Sequence, residues 1–328
     1  MFHALKKHCR YMVVPTFLIN LIGCGGGGAS SGGGNLPVDL PDYVGTWVAN
    51  CTSDWPTYVF TLSINASGQY FLISNEYDSE ANCGDDAYIL NTSIDTATVS
   101  SIEANTANAA YKDIFVSISE TRKTAHATSE VSNWISTEYC GKTDWSIGTE
   151  ATFTTGNPGT GAGGTCYQSS SRPAVLLNGS VLSVNGRGGF DGSDPADVVY
   201  SKQSDTPLLS GFIDGSPWVV VSGKASLGYD AGLLLYSLYD TYVPDICNTI
   251  YFSSRSSVLF SRPDASGDYP LGFDYTVTLY DGTTNYLVTS GTSSLQSVTS
   301  TEITGNIGAT YNSNYTVSGS FTVSRCTG

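Results

Sequence analysis

The sequence predicts an all-β chain in two consecutive units, and three observations carry that reading. Tyr, Thr, Ser, Val and Gly dominate, Glu, Lys, Met and Gln are scarce, and only 13% of the 328 residues are charged. This is the composition of pleated surfaces and tight turns rather than of helices. Apolar and polar residues alternate in short runs, most cleanly in Val317-Ser318-Gly319-Ser320-Phe321-Thr322-Val323, the two-residue period of a half-buried strand. Turn signals such as Asn65-Ala66-Ser67-Gly68, Asp214-Gly215 and Asp281-Gly282 separate the runs; Asp and Gly both tolerate the positive φ that a tight hairpin needs. The pattern halts at Ser204-Asp205-Thr206-Pro207 and then restarts. The expected divisions are a leader 1–23, a tether 24–38, a first unit 39–203 and a second unit 206–328.

The leader carries Lys6, Lys7 and Arg10 and no acid, followed by the apolar run Tyr11 to Ile22, the order of charge and hydropathy in a secretory signal. A bilayer span needs about 20 apolar residues, so this run is too short to be one. It ends in Leu21-Ile22-Gly23-Cys24, which resembles the lipobox of bacterial lipoproteins: two aliphatic residues, a small one, and the cysteine that receives lipid. The resemblance implies cleavage before Cys24, attachment of palmitate-like acyl chains and a place in the cell envelope. Gly rather than Asp at position 25 implies delivery to the outer membrane, with the face left open. At about 0.8 kcal/mol per buried methylene, two chains suffice for stable anchoring. Residues 25 to 36 are a Gly/Ser-rich flexible tether. Within it Gly28-Ala29-Ser30-Ser31-Gly32 has GxSxG spacing, but the strand before and helix after that a nucleophile elbow needs are missing.

Loss of the leader removes three basic residues and no acid, taking the net charge from −15 to −18. A chain this acidic is repelled by nucleic acid and by anionic headgroups, so no nucleic-acid partner is expected and membrane attachment rests on the lipid at the N-terminus. Setting aside Cys9 and Cys24, six cysteines remain, and an even number in an exported chain predicts three disulfides. Proximity pairs Cys51 with Cys83, Cys140 with Cys166 and Cys247 with Cys326, though six cysteines admit 15 pairings. With no CxxC pair and no histidine nearby, neither a metal nor another cofactor is expected.

The first unit opens at Tyr43-Val44-Gly45-Thr46-Trp47. Further strands are expected at Thr57–Ile64 and Gln69–Tyr77, then near Ile94–Ile102, Ile114–Thr121, Val131–Cys140, Trp145–Thr154, Ala174–Val184 and Val198–Lys202. That makes about eight or nine, the number that closes a small barrel. Gly45-x-Trp47 at the start of the first strand resembles the lipocalin signature, in which the glycine permits close chain approach and the tryptophan plugs the closed end of an up-and-down barrel. The resemblance implies a lipocalin-like barrel over about residues 43–203, either hollow around one small apolar ligand or filled by its own side chains. It also implies a late arginine against the tryptophan, for which Arg122 and Arg172 are both available.

In the second unit, strands are expected at Leu208–Ile213, Trp218–Ser222, Leu233–Tyr239, Thr249–Phe252, Val258–Ser261, Tyr275–Tyr280, Tyr286–Thr289, Glu302–Ala309 and Tyr315–Cys326, which suits a β-sandwich. The run Gly211 to Trp218, the mid-unit Cys247 and the terminal Gly319-x-Phe321-x-Val323-x-x-Cys326 resemble a module of bacterial envelope lipoproteins that has no assigned activity. That resemblance bears on the boundary and the terminal disulfide, not on a function.

Familiar catalytic patterns are weak. A Ser-His-acid set would have to use His126, the one histidine outside the leader, and its polar setting in Arg122-Lys123-Thr124-Ala125-His126 predicts an exposed loop residue. Gly159 to Gly164 spells GxGxxG without the βαβ context of a dinucleotide site. Asp191, Asp194 and Asp197, and the acids Glu76, Asp78, Glu80, Asp85 and Asp86 around Cys83, read as solvated turns, the first group missing the EF-hand spacing. Two facing carboxylates could hydrolyse a glycoside, but nothing in the sequence puts two acids in one cleft. Trp55 and Trp134 are expected in the core, with a ligand-facing rim as the alternative. The expectation is a disulfide-stapled, non-catalytic lipoprotein that binds a small apolar ligand or a protein partner. A surface adhesion scaffold or a carbohydrate-active enzyme are the alternatives.

Overall fold

A computed structural model describes residues 36–49, 51, 57–83, 85, 88–161, 164–185, 198–228, 232–243, 245–248 and 256–326. The signal, Cys24 and tether residues 25–35, Trp55, Asp86, the acidic turn 191–197 and the expected strand Thr249–Phe252 lie outside these residues. The fold is nearly all β, 59% strand and 8% helix, with an eight-stranded closed antiparallel barrel followed by a second, curled sheet.

A short helix, α1 (Leu40–Tyr43), leads into β1 (Gly45–Ala49), β2 (Tyr58–Ile64), β3 (Gln69–Tyr77), β4 (Ile89–Ala104) and β5 (Lys112–Ala125), a continuous meander. Helix α2 (Thr128–Ser136) and β6 (Glu150–Phe153) follow, and β7 (Ala174–Asn178), β8 (Val181–Asn185) and β9 (Val198–Ser204) complete the sheet. Closure comes from both ends of the path: β9 pairs with β1, and Ala174 stands opposite Asp113 while Ile114 N–H donates to Pro173 O at 3.0 Å. The barrel thereby has no exposed edge to template aggregation.

Two expected strands are corrected. Val131–Cys140 is not a strand: residues 128–136 are helix α2, whose inward side chains Glu130 and Trp134 sit four residues apart, the spacing of one helix face. Ala174–Val184 is a hairpin rather than one strand, turning at Gly179 with φ +60°, a conformation that glycine adopts without steric cost.

The sequence motif at the barrel's closed end acts locally. Gly45 has φ +136°, and a Cβ there would meet Ser204 O at 2.5 Å, so a side chain would push β1 off β9. Trp47 is fully buried and its Nε1–H donates to Tyr43 O at 2.9 Å. The cation over its ring is Lys202 Nζ, 5.0 Å from the centroid, not Arg122 or Arg172. Alternation decides this: Lys202 shares the inward face of β9 with Tyr200, whereas Arg122 lies between the inward Thr121 and Lys123 and points out. Arg172 pairs with Asp113 at 2.6 Å and stacks on Phe115 at 4.6 Å.

The second unit comprises β10 (Ser210–Ile213), β11 (Ser216–Val219), β12 (Ser222–Leu227), β13 (Leu233–Tyr239), β14 (Ser256–Pro263), β15 (Val277–Asp281), β16 (Asn285–Val288), β17 (Gly291–Val298), β18 (Glu302–Asn312) and β19 (Tyr315–Arg325). With the short Gly267–Asp268 ladder they form one 11-stranded sheet that curls around its own core in a sandwich-like manner. Its centre is aromatic: Tyr236 stacks on Phe260 at 4.5 Å, and Phe321 meets both edge-on at 6.2 and 5.6 Å.

Cys51–Cys83, Cys140–Cys166 and Cys247–Cys326 are bonded, with Cα separations of 6.2, 5.4 and 5.2 Å. In the chain-entropy account each contributes about 3.5 to 4.5 kcal/mol. The two sheets also pack on each other. Phe71, Ile73 and Ile94 on the outer face of the barrel bury Val219, Ser63 Oγ accepts the Leu208 N–H at 3.0 Å, and Arg122 Nη1 reaches Asp240 at 3.1 Å.

Candidate functional site

The inward face of the barrel is built in layers that the strand register makes explicit. Leu62, Ile64, Ile114, Val116, Val175, Leu182 and Val184 form its apolar floor and share one core with Trp47. Next, Asp95 of β4 stands opposite Thr121 of β5 and Leu72 of β3. One layer further out, Ser93 stands opposite Lys123 and Ser74, and at the mouth Asn91 faces Glu76. Between floor and mouth is a cavity of about 180 Å³, also lined by Tyr58, Phe60, Tyr70 and Tyr200.

A second small core flanks the mouth. Helix α2 and the segment stapled by Cys140–Cys166 form a separate small core of Trp134, Trp145, Phe153 and Tyr167, with Trp134 and Trp145 edge-on at 4.5 Å. Trp134 is therefore core, as expected. A polar clasp joins this small core to the barrel: Asn91 Nδ2 donates to Glu76 Oε2 at 2.7 Å and to Glu130 Oε1 at 3.2 Å.

Electrostatics follow from burial. Glu76 and Glu130 are only 7% and 4% exposed. Loss of solvent, then the charge of Glu76, pushes Glu130 up to about 7. Loss of solvent also raises Glu76, against the hydrogen bonds from Asn91 and Tyr58 and the charge of Lys123. Asp95 is raised by burial as well, against the hydrogen bond from Thr121 Oγ1 at 2.7 Å and the charge of Lys123. Lys123 is 6% exposed; its Nζ donates to Ser93 Oγ at 3.2 Å and lies 5.7 Å from the Tyr139 ring.

Sequence reading named Gly45 and Trp47 here but none of Glu76, Asp95, Lys123 and Glu130 as a group. It placed Glu76 in a solvated turn, whereas β3 carries it into the mouth of the barrel and two carboxylates do come together through Asn91. His126 is also corrected. Rather than an exposed loop residue it is half-buried between the units, with Nε2 3.0 Å from Thr92 Oγ1 and its ring edge-on to Tyr242 at 4.5 Å. Burial lowers it to about 4, so it is neutral at physiological pH. Thr160–Gly161 pairs with Gly164–Thr165 as a small hairpin, and residues 162–163 of the GxGxxG run lie outside the described ones. Among the described residues no group of three or more metal-ligating side chains occurs. No protein-family model and no curated protein matches the chain.

Proposed function

We propose that this chain is a lipid-anchored lipoprotein of the outer membrane that carries a small, mainly apolar ligand in its barrel, without catalysis. The observation that supports it most is the cavity: about 180 Å³, walled mainly by apolar side chains of the core that also holds Trp47. A cavity of about 150 Å³ holds a benzene ring, so the occupant is a ring or a short branched chain rather than a long lipid. The likeness of Gly45-x-Trp47 to the lipocalin signature, with Trp47 at the closed end, supports the same reading. The location rests on the resemblance of Leu21-Ile22-Gly23-Cys24 to a lipobox.

Mass spectrometry of small molecules released from the purified chain tests the carrier role; a protein that releases none and takes up no apolar probe is not a carrier. Anchoring has its own test. Cys24→Ser is expected to move the chain from the membrane to the soluble fraction, and continued membrane attachment would overturn the lipid claim.

A further inference from the structure

Asp95 and Lys123 line the same cavity, one layer apart, yet they are not paired. Among the described residues no carboxylate lies within ion-pair distance of Lys123 Nζ and no cation within that distance of Asp95, and each group has one side-chain hydrogen-bond partner, Ser93 and Thr121. The surface that Asp95 leaves uncovered is turned to the cavity it lines. Buried charges without an ion-pair partner are costly, so two of them facing one void define what would complete it.

We propose that the barrel ligand is a small zwitterion with an apolar side chain, of the kind of a free leucine or phenylalanine, its ammonium on Asp95 and its carboxylate on Lys123. The proposal rests on the carrier reading above and specifies its ligand. Along β5 the order of inward positions matches the order of groups: the apolar Ile114, Val116 and Ile118, then Thr121 opposite the acid, then the base. Two strand residues separate the Asp95 and Lys123 layers, about 7 Å along the sheet, the scale of one α-amino acid head group with a charge-assisted hydrogen bond on each side. The aromatic walls, Tyr58, Phe60, Tyr70 and Tyr200, favour a cation near their faces.

Other ligand classes leave a charge stranded. A fatty acid would satisfy Lys123 but set a second carboxylate beside Asp95, with Glu76 and Glu130 already at the mouth. A simple amine would satisfy Asp95 and leave Lys123 as it is. A hydrocarbon would seal both charges away from water.

Calorimetric titration of the full-length chain in detergent with L-phenylalanine, N-acetyl-L-phenylalanine, phenylethylamine, octanoate and toluene separates these cases. L-Phenylalanine is expected to bind, and the acetylated and decarboxylated analogues to bind about tenfold or more weakly, the loss of one charge-assisted hydrogen bond. Asp95→Asn and Lys123→Met should each weaken L-phenylalanine by a similar factor and leave toluene unchanged. The analogue series on the unaltered chain decides the matter should a variant fail to fold. Octanoate or phenylethylamine binding as well as phenylalanine overturns the zwitterion. Toluene binding without amino-acid binding overturns it too and leaves the carrier reading standing; binding of none of the five overturns both.

Discussion

In the second unit the inward positions at mid-sheet carry Tyr236, Phe260 and Phe321, whose rings meet at the centre, whereas the inward positions of the barrel, Leu72, Asp95, Val116 and Leu182 among them, surround a void. Their buried charges differ in the same way. Arg262 is fully buried in the second unit, but its guanidinium donates to the Ser261 and Thr276 carbonyls and to Ser293 Oγ, at 2.6, 3.2 and 3.0 Å. In the barrel, Asp95 and Lys123 each line open space with one side-chain hydrogen-bond partner apiece. Two sheets of similar composition thus reach different interiors through side-chain size at a few positions. Where the core closes, Arg262 donates to three protein oxygens; in the open barrel, Asp95 and Lys123 have one side-chain hydrogen-bond partner each.

Truncation should separate the two units most. Phe321→Ala removes the ring that holds Tyr236 and Phe260 together and is expected to cost about 3–5 kcal/mol, because the packed sheet cannot collapse into the hole. Val116→Ala, on the barrel wall, already adjoins a cavity and should cost only the transfer of its methyl groups, about 1–1.5 kcal/mol. Denaturant midpoints of the two variants measure the contrast. Equal losses would mean that the barrel collapses in solution.

Some elements were legible: Gln69–Tyr77 and Leu233–Tyr239 fall at the expected bounds, and proximity sufficed for the three disulfides. The lumen was not legible, and β4 shows why. Its conspicuous apolar residue Ile94 packs outward against the second unit with Phe71 and Ile73, so the inward face is the polar one, Asn91, Ser93 and Asp95. A strand buried on both faces gives no parity to read, and register shifts at Thr96/Ala97 and Val99/Ser101 interrupt the count. The strand Gly291–Val298 escaped notice because only Ser293 and Leu295 of it are buried. Helix α2 was hidden by a run of Ser, Asn and Thr, residues that favour caps and turns over helix interiors.

The barrel should also respond to pH where the second unit does not. Glu130 rises from 4.5 to about 7 in the fold, so the fold favours its neutral form, and the associated stability is intact below about pH 4.5 and lost as pH rises through 7. His126 falls from 6.5 to about 4; the fold favours neutral imidazole, and that stability is intact above pH 6.5 and lost on acidification toward 4. The two slopes oppose each other between pH 4.5 and 6.5 and conceal one another. Single variants expose them. Glu130→Gln should leave a chain that weakens on acidification, and His126→Gln one that weakens as pH rises toward 7, each by on the order of 2 kcal/mol. In the second unit Arg262, lowered to about 10, and Asp281, held low by hydrogen bonds from Thr284 and Thr283, titrate outside this range. Midpoints measured across pH 4.5–8 that still fall toward pH 7 in Glu130→Gln would assign the effect to another group.

Adding volume should give the smallest change in stability and the largest asymmetry in function. Leu72 borders both the cavity and Asp95, so Leu72→Phe puts a ring where nothing is displaced. Extra apolar contact then offsets the loss of rotamer freedom, and the net change should stay within about 1 kcal/mol. Ala225 is fully buried in the second unit's core, where added methylenes force neighbours off their rotamers; Ala225→Leu should cost about 1–3 kcal/mol. Ligand uptake should respond in the opposite order, abolished by the nearly silent Leu72→Phe and unaffected by the destabilising Ala225→Leu in whatever fraction remains folded. Thermal melts read the first half of the contrast and calorimetric titration the second. A Leu72→Phe chain that still binds its ligand at full strength would place the binding site outside the barrel.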